Sequence, residues 1–148
     1  MLRLVLFAAI LTALTALKLA AQEAKFVAGY APRSSGSVTF SRDVAPIIFK
    51  NCSGCHRDDQ AAPFNLLTYG DVRRKAKTIL DVVERRYMPP WPPEPGFGDF
   101  EDECRLTVDQ IGLIQQWVRE GFKEGRPEDL PPDPERNERW ELGPPIWS

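Results

Sequence analysis

Apolar residues recur on three stretches of the chain with the spacing of a single helix face. In the first, Val44, Ile47 and Ile48 stand at i, i+3 and i+4. They predict a short helix, capped by Ser41 or Asp43, that runs directly into Cys52. Pro46 falls in its first turn, where a missing N–H costs little. In the second, Val72, Ala76, Ile79, Leu80 and Val83 form a stripe at i, i+4, i+7, i+8 and i+11, which predicts a helix to about Arg86. Thr68-Tyr69-Gly70-Asp71 opens it as a capping box, with Asp in place of the usual Glu. In the third, Ile111, Ile114, Trp117 and Val118 share one face behind a second capping box, Thr107 to Gln110. Phe122 lies beyond, and Gly121 or Gly125 is placed to stop the helix.

The flanks lack such a period. Residues 25–38 mix Gly, Ser and Pro with isolated apolars and are expected to form a mobile lead-in. Residues 126–148 are Pro-rich and acidic, which predicts a tail or linker, although Trp140 and Trp147 are unusual in a free tail. Residues 1–24 differ from both. An apolar run from Leu4 to Leu17 sits between Arg3 and Lys18. It suits a signal-peptide core and falls short of the ~20 residues that span a bilayer, with an uncleaved anchor as the alternative. Either way the rest of the chain is expected to be exported.

At 148 residues, one domain is expected. The formal charge of -2 becomes -4 if the first 22 residues leave with Arg3 and Lys18, since 17 basic residues then face 21 acidic ones. That balance argues against nucleic acid as a partner.

Candidate chemistry concentrates at Cys52-Ser53-Gly54-Cys55-His56. Two cysteines three apart with a histidine next read as a covalent c-type haem attachment site. The thiols of Cys52 and Cys55 add across two vinyl groups, and His56 Nε2 binds the iron from one face. Export agrees with the motif, because this attachment belongs to the bacterial periplasm or an equivalent compartment. In the following loop, Phe64, Leu66 and Leu67 are candidates for pocket wall. A carbonyl near Pro63 is placed to accept the His56 Nδ1–H, which would fix the imidazole plane. Pro63 simply stiffening the loop is the plainer alternative.

His56 is the only histidine of the chain, so a second imidazole is excluded on the other face of the iron. Met88 is the only methionine besides Met1, which makes it the leading axial ligand by elimination. Pro89 and Pro90 would stiffen the backbone beside it. The ordinary alternative is a methionine filling a core gap. Trp91 either closes the pocket, donates its indole N–H to a propionate, or serves as generic apolar packing. Cys104 is left over, set among acidic residues, and reads as an inert thiol. A zinc site of Cys52, Cys55, His56 and Cys104 is the other metal assignment. The cations Arg73, Arg74, Lys75 and Lys77 lie mostly off the second apolar stripe. They form either a solvated face or a docking surface for an acidic redox partner.

The haem motif, a methionine after a long helix and a final amphipathic helix together resemble a class I c-type cytochrome domain. More narrowly, three stretches resemble the cytochrome-c-like domains of exported bacterial proteins. These are Phe40-Ser41-Arg42-Asp43-Val44-Ala45-Pro46-Ile47, Ala62-Pro63-Phe64-Asn65-Leu66-Leu67-Thr68-Tyr69, and Met88-Pro89-Pro90-Trp91. Some of those proteins carry a further domain similar to copper type II ascorbate-dependent monooxygenases. The resemblance implies an all-α, cytochrome c-like domain over 39–125, with three to four helices around one covalent haem c and the first and last helices packed together. It implies a periplasmic one-electron carrier serving a redox partner protein, with a membrane involved only if the N-terminal segment is uncleaved. A haem-based ligand-binding sensor, or a cytochrome module of a larger oxidoreductase or monooxygenase system, is the alternative. No general acid or base beside a substrate cleft is visible, so an electron-transfer protein is expected rather than an enzyme.

Overall fold

The computed structural model describes residues 26–90 and 103–132, with 93, 96, 98 and 100 between them. The segment read as a signal peptide or anchor, Trp91, and the tail beyond 132 with Trp140 and Trp147 lie outside the described residues. Three α-helices carry the fold: α1 (Ala45–Asn51), α2 (Tyr69–Glu84) and α3 (Val108–Arg119). Among the described residues there is no strand, and the architecture is all-α.

The first helical segment begins earlier than its apolar spacing predicts. A π-helical turn, Phe40–Val44, feeds α1 without a break, and its cap is Thr39, not Ser41 or Asp43. Thr39 Oγ1 accepts from Arg42 N, while Asp43 Oδ2 reaches back to accept from Thr39 N at 2.8 Å. Asp43 is therefore the return arm of the cap. Pro46 explains the widened turn. Its ring would press on the carbonyl four residues back, and a turn with bonds to the fifth residue back relieves that crowding. Val44 N accordingly donates to Thr39 O at 3.3 Å.

Both longer helices open as their sequences predict. Thr68 and Asp71 exchange bonds of 3.1 and 3.2 Å at the start of α2, and Thr107 and Gln110 exchange bonds of 2.8 and 3.2 Å at the start of α3. Val72, Ala76, Ile79 and Val83 of α2 are buried, as are Ile111, Ile114 and Trp117 of α3, while Leu80 and Val118 are half-buried. Fully burying each of the Val and Ile side chains among these contributes about 1.5–3 kcal/mol relative to exposure.

An aromatic cluster joins the two ends of the domain. Phe40 meets Trp117 with ring centroids 6.0 Å apart and Tyr69 at 5.5 Å, and Phe122 stands edge-on to Trp117. Their polar ends are satisfied by backbone: Trp117 Nε1 donates to Lys123 O, and Tyr69 OH to Phe122 O. The chain after α3 then runs beside Thr39–Ser41, with Phe40 N and Ser41 N each 2.8 Å from the carbonyls of Lys123 and Glu124. Gly125 permits that approach, because a Cβ there would come within 2.9 Å of the Thr39 side chain. Residues 127–129 form a single 3-10 turn, so the predicted tail starts with local structure.

The stretch expected as a mobile lead-in makes specific contacts. Residues 26–38 are docked across α3, with Val27 N bonded to Gln115 Oε1 at 2.8 Å and Tyr30 OH to Gln116 Oε1 at 2.7 Å. Gln116 also bonds both backbone groups of Arg33, the Arg33 guanidinium meets Asp43 at 2.5 Å, and Val38 is fully buried. The physical reason is reciprocal. Two buried glutamines on α3 need polar partners, and the lead-in supplies backbone groups that would otherwise remain in water.

Candidate functional site

The turn that ends α1 gathers the motif residues. Cys52 N and Ser53 N both donate to Ile48 O, at 2.8 and 3.0 Å, and His56 N then donates to Cys52 O at 2.9 Å. The Ser53 side chain is turned inward, buried and bonded to Phe49 O at 2.5 Å. This leaves Cys52, Cys55 and His56 along one wall of a cleft of about 450 Å³. That volume is within the range of about 300–1,000 Å³ usual for cofactor sites.

The loop after the motif folds back over it, with Ala62 N on Cys55 O at 3.2 Å and Leu66 N on His56 O at 2.9 Å. The carbonyl that meets His56 Nδ1 is that of Phe64, at 3.3 Å, one residue beyond Pro63. A carbonyl only accepts, so this contact favours the Nδ1–H tautomer of the neutral imidazole, in which Nε2 keeps its lone pair. The Phe64 ring also lies against the imidazole, with centroids 4.5 Å apart, so one residue restrains His56 in two ways. Phe64 and Leu66 line or pack at the cleft, in the places their sequence positions predict; Leu67 faces a separate groove beside Phe40 and Tyr69.

The opposite wall is α2 and the turn that follows it. Tyr87 N donates to Val82 O at 2.8 Å and Arg86 N to Val83 O at 3.1 Å, the paired bonds of a Schellman ending. Arg86 occupies the left-handed position of that ending (φ 56°), where glycine is usual, and its guanidinium donates to Leu106 O at 3.1 Å. Helix α2 is thus turned sharply and tied to the entry of α3. The next residues, Met88, Pro89 and Pro90, line the cleft. All four side chains selected from the sequence, Cys52, Cys55, His56 and Met88, border this one space although 36 positions separate the first from the last.

Burial, with a smaller contribution from Cys55, pushes the Cys52 thiol up to about 12. A thiol held that high stays protonated at neutral pH, so Cys52 carries little thiolate in this cleft. Cys104 is exposed and does not line the cleft. Among the described residues, no group of three or more His, Cys, Asp or Glu is arranged to hold a metal ion, which leaves the four-ligand zinc assignment without a site.

Several wall residues escape the sequence reading. Lys75 and Thr78 line the cleft along with Val82, spaced i, i+3 and i+7 on a face of α2 adjacent to the buried stripe. That spacing is the available signal, hidden because Lys75 sits in a run of four cations that reads as a solvated face. No family model, curated protein or solved structure matches the chain. What the fold defines is an all-α domain with an apolar cleft between a Cys-x-x-Cys-His turn and a methionine-bearing turn.

Proposed function

We propose that the chain is an exported, periplasmic one-electron carrier with a cytochrome c-like domain holding one covalent haem c. The observation that carries this reading is the convergence of Cys52, Cys55, His56 and Met88 on one apolar cleft. The donor set fits the group. Two thiols stand at one edge, an imidazole has Nε2 available, and a thioether borders the same space. Bound there, haem supplies a single iron that changes between Fe(III) and Fe(II) by one electron.

The chain's residues have separate tasks. Cys52 and Cys55 would tether the porphyrin through thioether bonds, which carry no charge into an apolar site. His56 is the proximal ligand, held in plane by the Phe64 carbonyl and ring. Met88 is the distal ligand, and its thioether favours reduced iron and raises the potential. Leu66, Ile79 and Val83 exclude water from the site, and a redox partner protein delivers or accepts the electron.

A pyridine haemochrome spectrum of periplasmically matured protein tests the reading directly. Two thioether bonds per chain are expected, and a protein matured with the attachment machinery that carried no haem would refute it. Met88→Ala is expected to abolish the sulfur-to-iron charge-transfer band at the red end of the oxidised spectrum. Persistence of that band, or rapid carbon monoxide binding by the native reduced protein, would overturn the Met88 assignment.

A further inference from the structure

Lys75 stands apart from the other cations of its run. Arg74 is bonded to Asp71 at 2.5 Å, whereas Lys75 Nζ lies over the Phe64 ring, 4.9 Å from its centroid. That ring is the one packed on His56 at 4.5 Å, and its residue supplies the carbonyl at His56 Nδ1. Lys75, Phe64 and His56 therefore form a column, and all three line the cleft. The two centroid spacings added together bound the ammonium within 9.4 Å of the imidazole. Among the described residues lining the cleft, Lys75 is the only Lys, Arg, Asp or Glu. It forms no ion pair among the described residues. The nearest acid on its own helix face, Asp71, is engaged by Arg74 and by the Thr68 cap.

We propose that Lys75 is a positioning residue for the redox centre, raising its reduction potential through the charge it holds against the Phe64–His56 stack. This rests on the haem reading above and deepens it. A positive charge held against the imidazole that would bind the iron would oppose the extra positive charge of the ferric state and leave the ferrous state less penalised. The cation also pins the Phe64 ring by its quadrupole, and with it the carbonyl that orients the imidazole. Because an apolar wall lies on one side and solvent on the other, the interaction falls between the bulk-water and interior limits. Loss of the charge is expected to make reduction roughly threefold to tenfold less favourable. Tenfold corresponds to about 59 mV for a one-electron couple. The measured change adds one electron from a mediator dye to the iron, with no bond made or broken.

The test is a spectroelectrochemical titration of the matured protein, Lys75→Gln, Lys75→Arg and Lys77→Gln, each first checked by its haemochrome spectrum. Lys77 shares α2 but not the cleft wall. Lys75→Gln is expected to lower the potential by the stated factor, with the difference narrowing as salt is raised. Lys75→Arg should restore it to within about twofold, since the guanidinium keeps both charge and ring contact. A haem-loaded Lys75→Gln protein with unchanged potential would overturn the proposal, as would an equal shift in Lys77→Gln. A wild-type chain without haem would instead remove the parent reading.

Discussion

Replacing Gly112 with alanine sets two physical effects of opposite sign against each other. Alanine in a helix interior is favoured over glycine by about 0.5–1 kcal/mol, so on an exposed face of α3 the change would stabilise the protein. Gly112 is instead buried under the docked lead-in. A Cβ there would fall within 2.5 Å of the Tyr30 Cγ, Cδ1 and Cδ2 atoms, whereas carbon atoms prefer about 3.5–4.0 Å. The ring must then move by more than 1 Å, roughly, to recover van der Waals contact. Its hydroxyl is fixed to Gln116 at 2.7 Å, and Gln116 also holds Arg33, so the segment moves as a unit. Overpacking typically costs 1–3 kcal/mol, and a lost hydrogen bond adds about 0.5–1.5 kcal/mol. After the gain in helix propensity, a net destabilisation of about 0.5–4 kcal/mol is expected. Urea unfolding of wild type, Gly112→Ala, Tyr30→Ala and the double variant measures it. The double variant should be less destabilised than the two single effects combined, because removing the ring removes the clash. If Gly112→Ala proved more stable than wild type, the docking of residues 26–38 on α3 would be refuted.

Two further predictions concern the cap of the first helical segment and the turn before Met88. Burial alone would raise the Asp43 carboxyl, but the Thr39 backbone N–H, together with Arg42 and Arg33, outweighs it and holds the pKa below 3.8. A depressed folded-state value means that its stabilisation is complete above the unfolded value and is lost as pH falls through the folded one. Asp43→Asn should therefore cost about 1.5–3 kcal/mol near neutral pH. It should also flatten the acid limb of stability below about pH 5, and identical acid limbs in the two proteins would refute the assignment. At Arg86, Gly should be more stable than Ala by about 1 kcal/mol, because only Ala retains the left-handed strain. Equal urea midpoints would show that the turn does not need that conformation.

Much of this architecture is local and therefore legible in the sequence. The capping boxes at Thr68–Asp71 and Thr107–Gln110 form between residues three apart, and the stripes that follow them bury the faces their spacing marks. The first helix is less legible. Ser41 and Asp43 are sound capping residues by type, yet Pro46 widens the preceding turn and moves the cap to Thr39. The lead-in is least legible, because its order comes from Gln115 and Gln116, more than eighty positions away.

The sequence alone determined the chemistry available to this protein: one histidine, one internal methionine and two motif thiols, carried on helices whose caps and stripes are short-range features. Only the tertiary structure decided where those groups meet. The Schellman turn at Arg86 reverses the chain and brings Met88 to the cleft that Cys52, Cys55 and His56 share. The loop return places the Phe64 carbonyl, one residue beyond Pro63, on His56, and sets Lys75 over the same ring. Those placements depend on packing between distant segments, which local spacing does not encode.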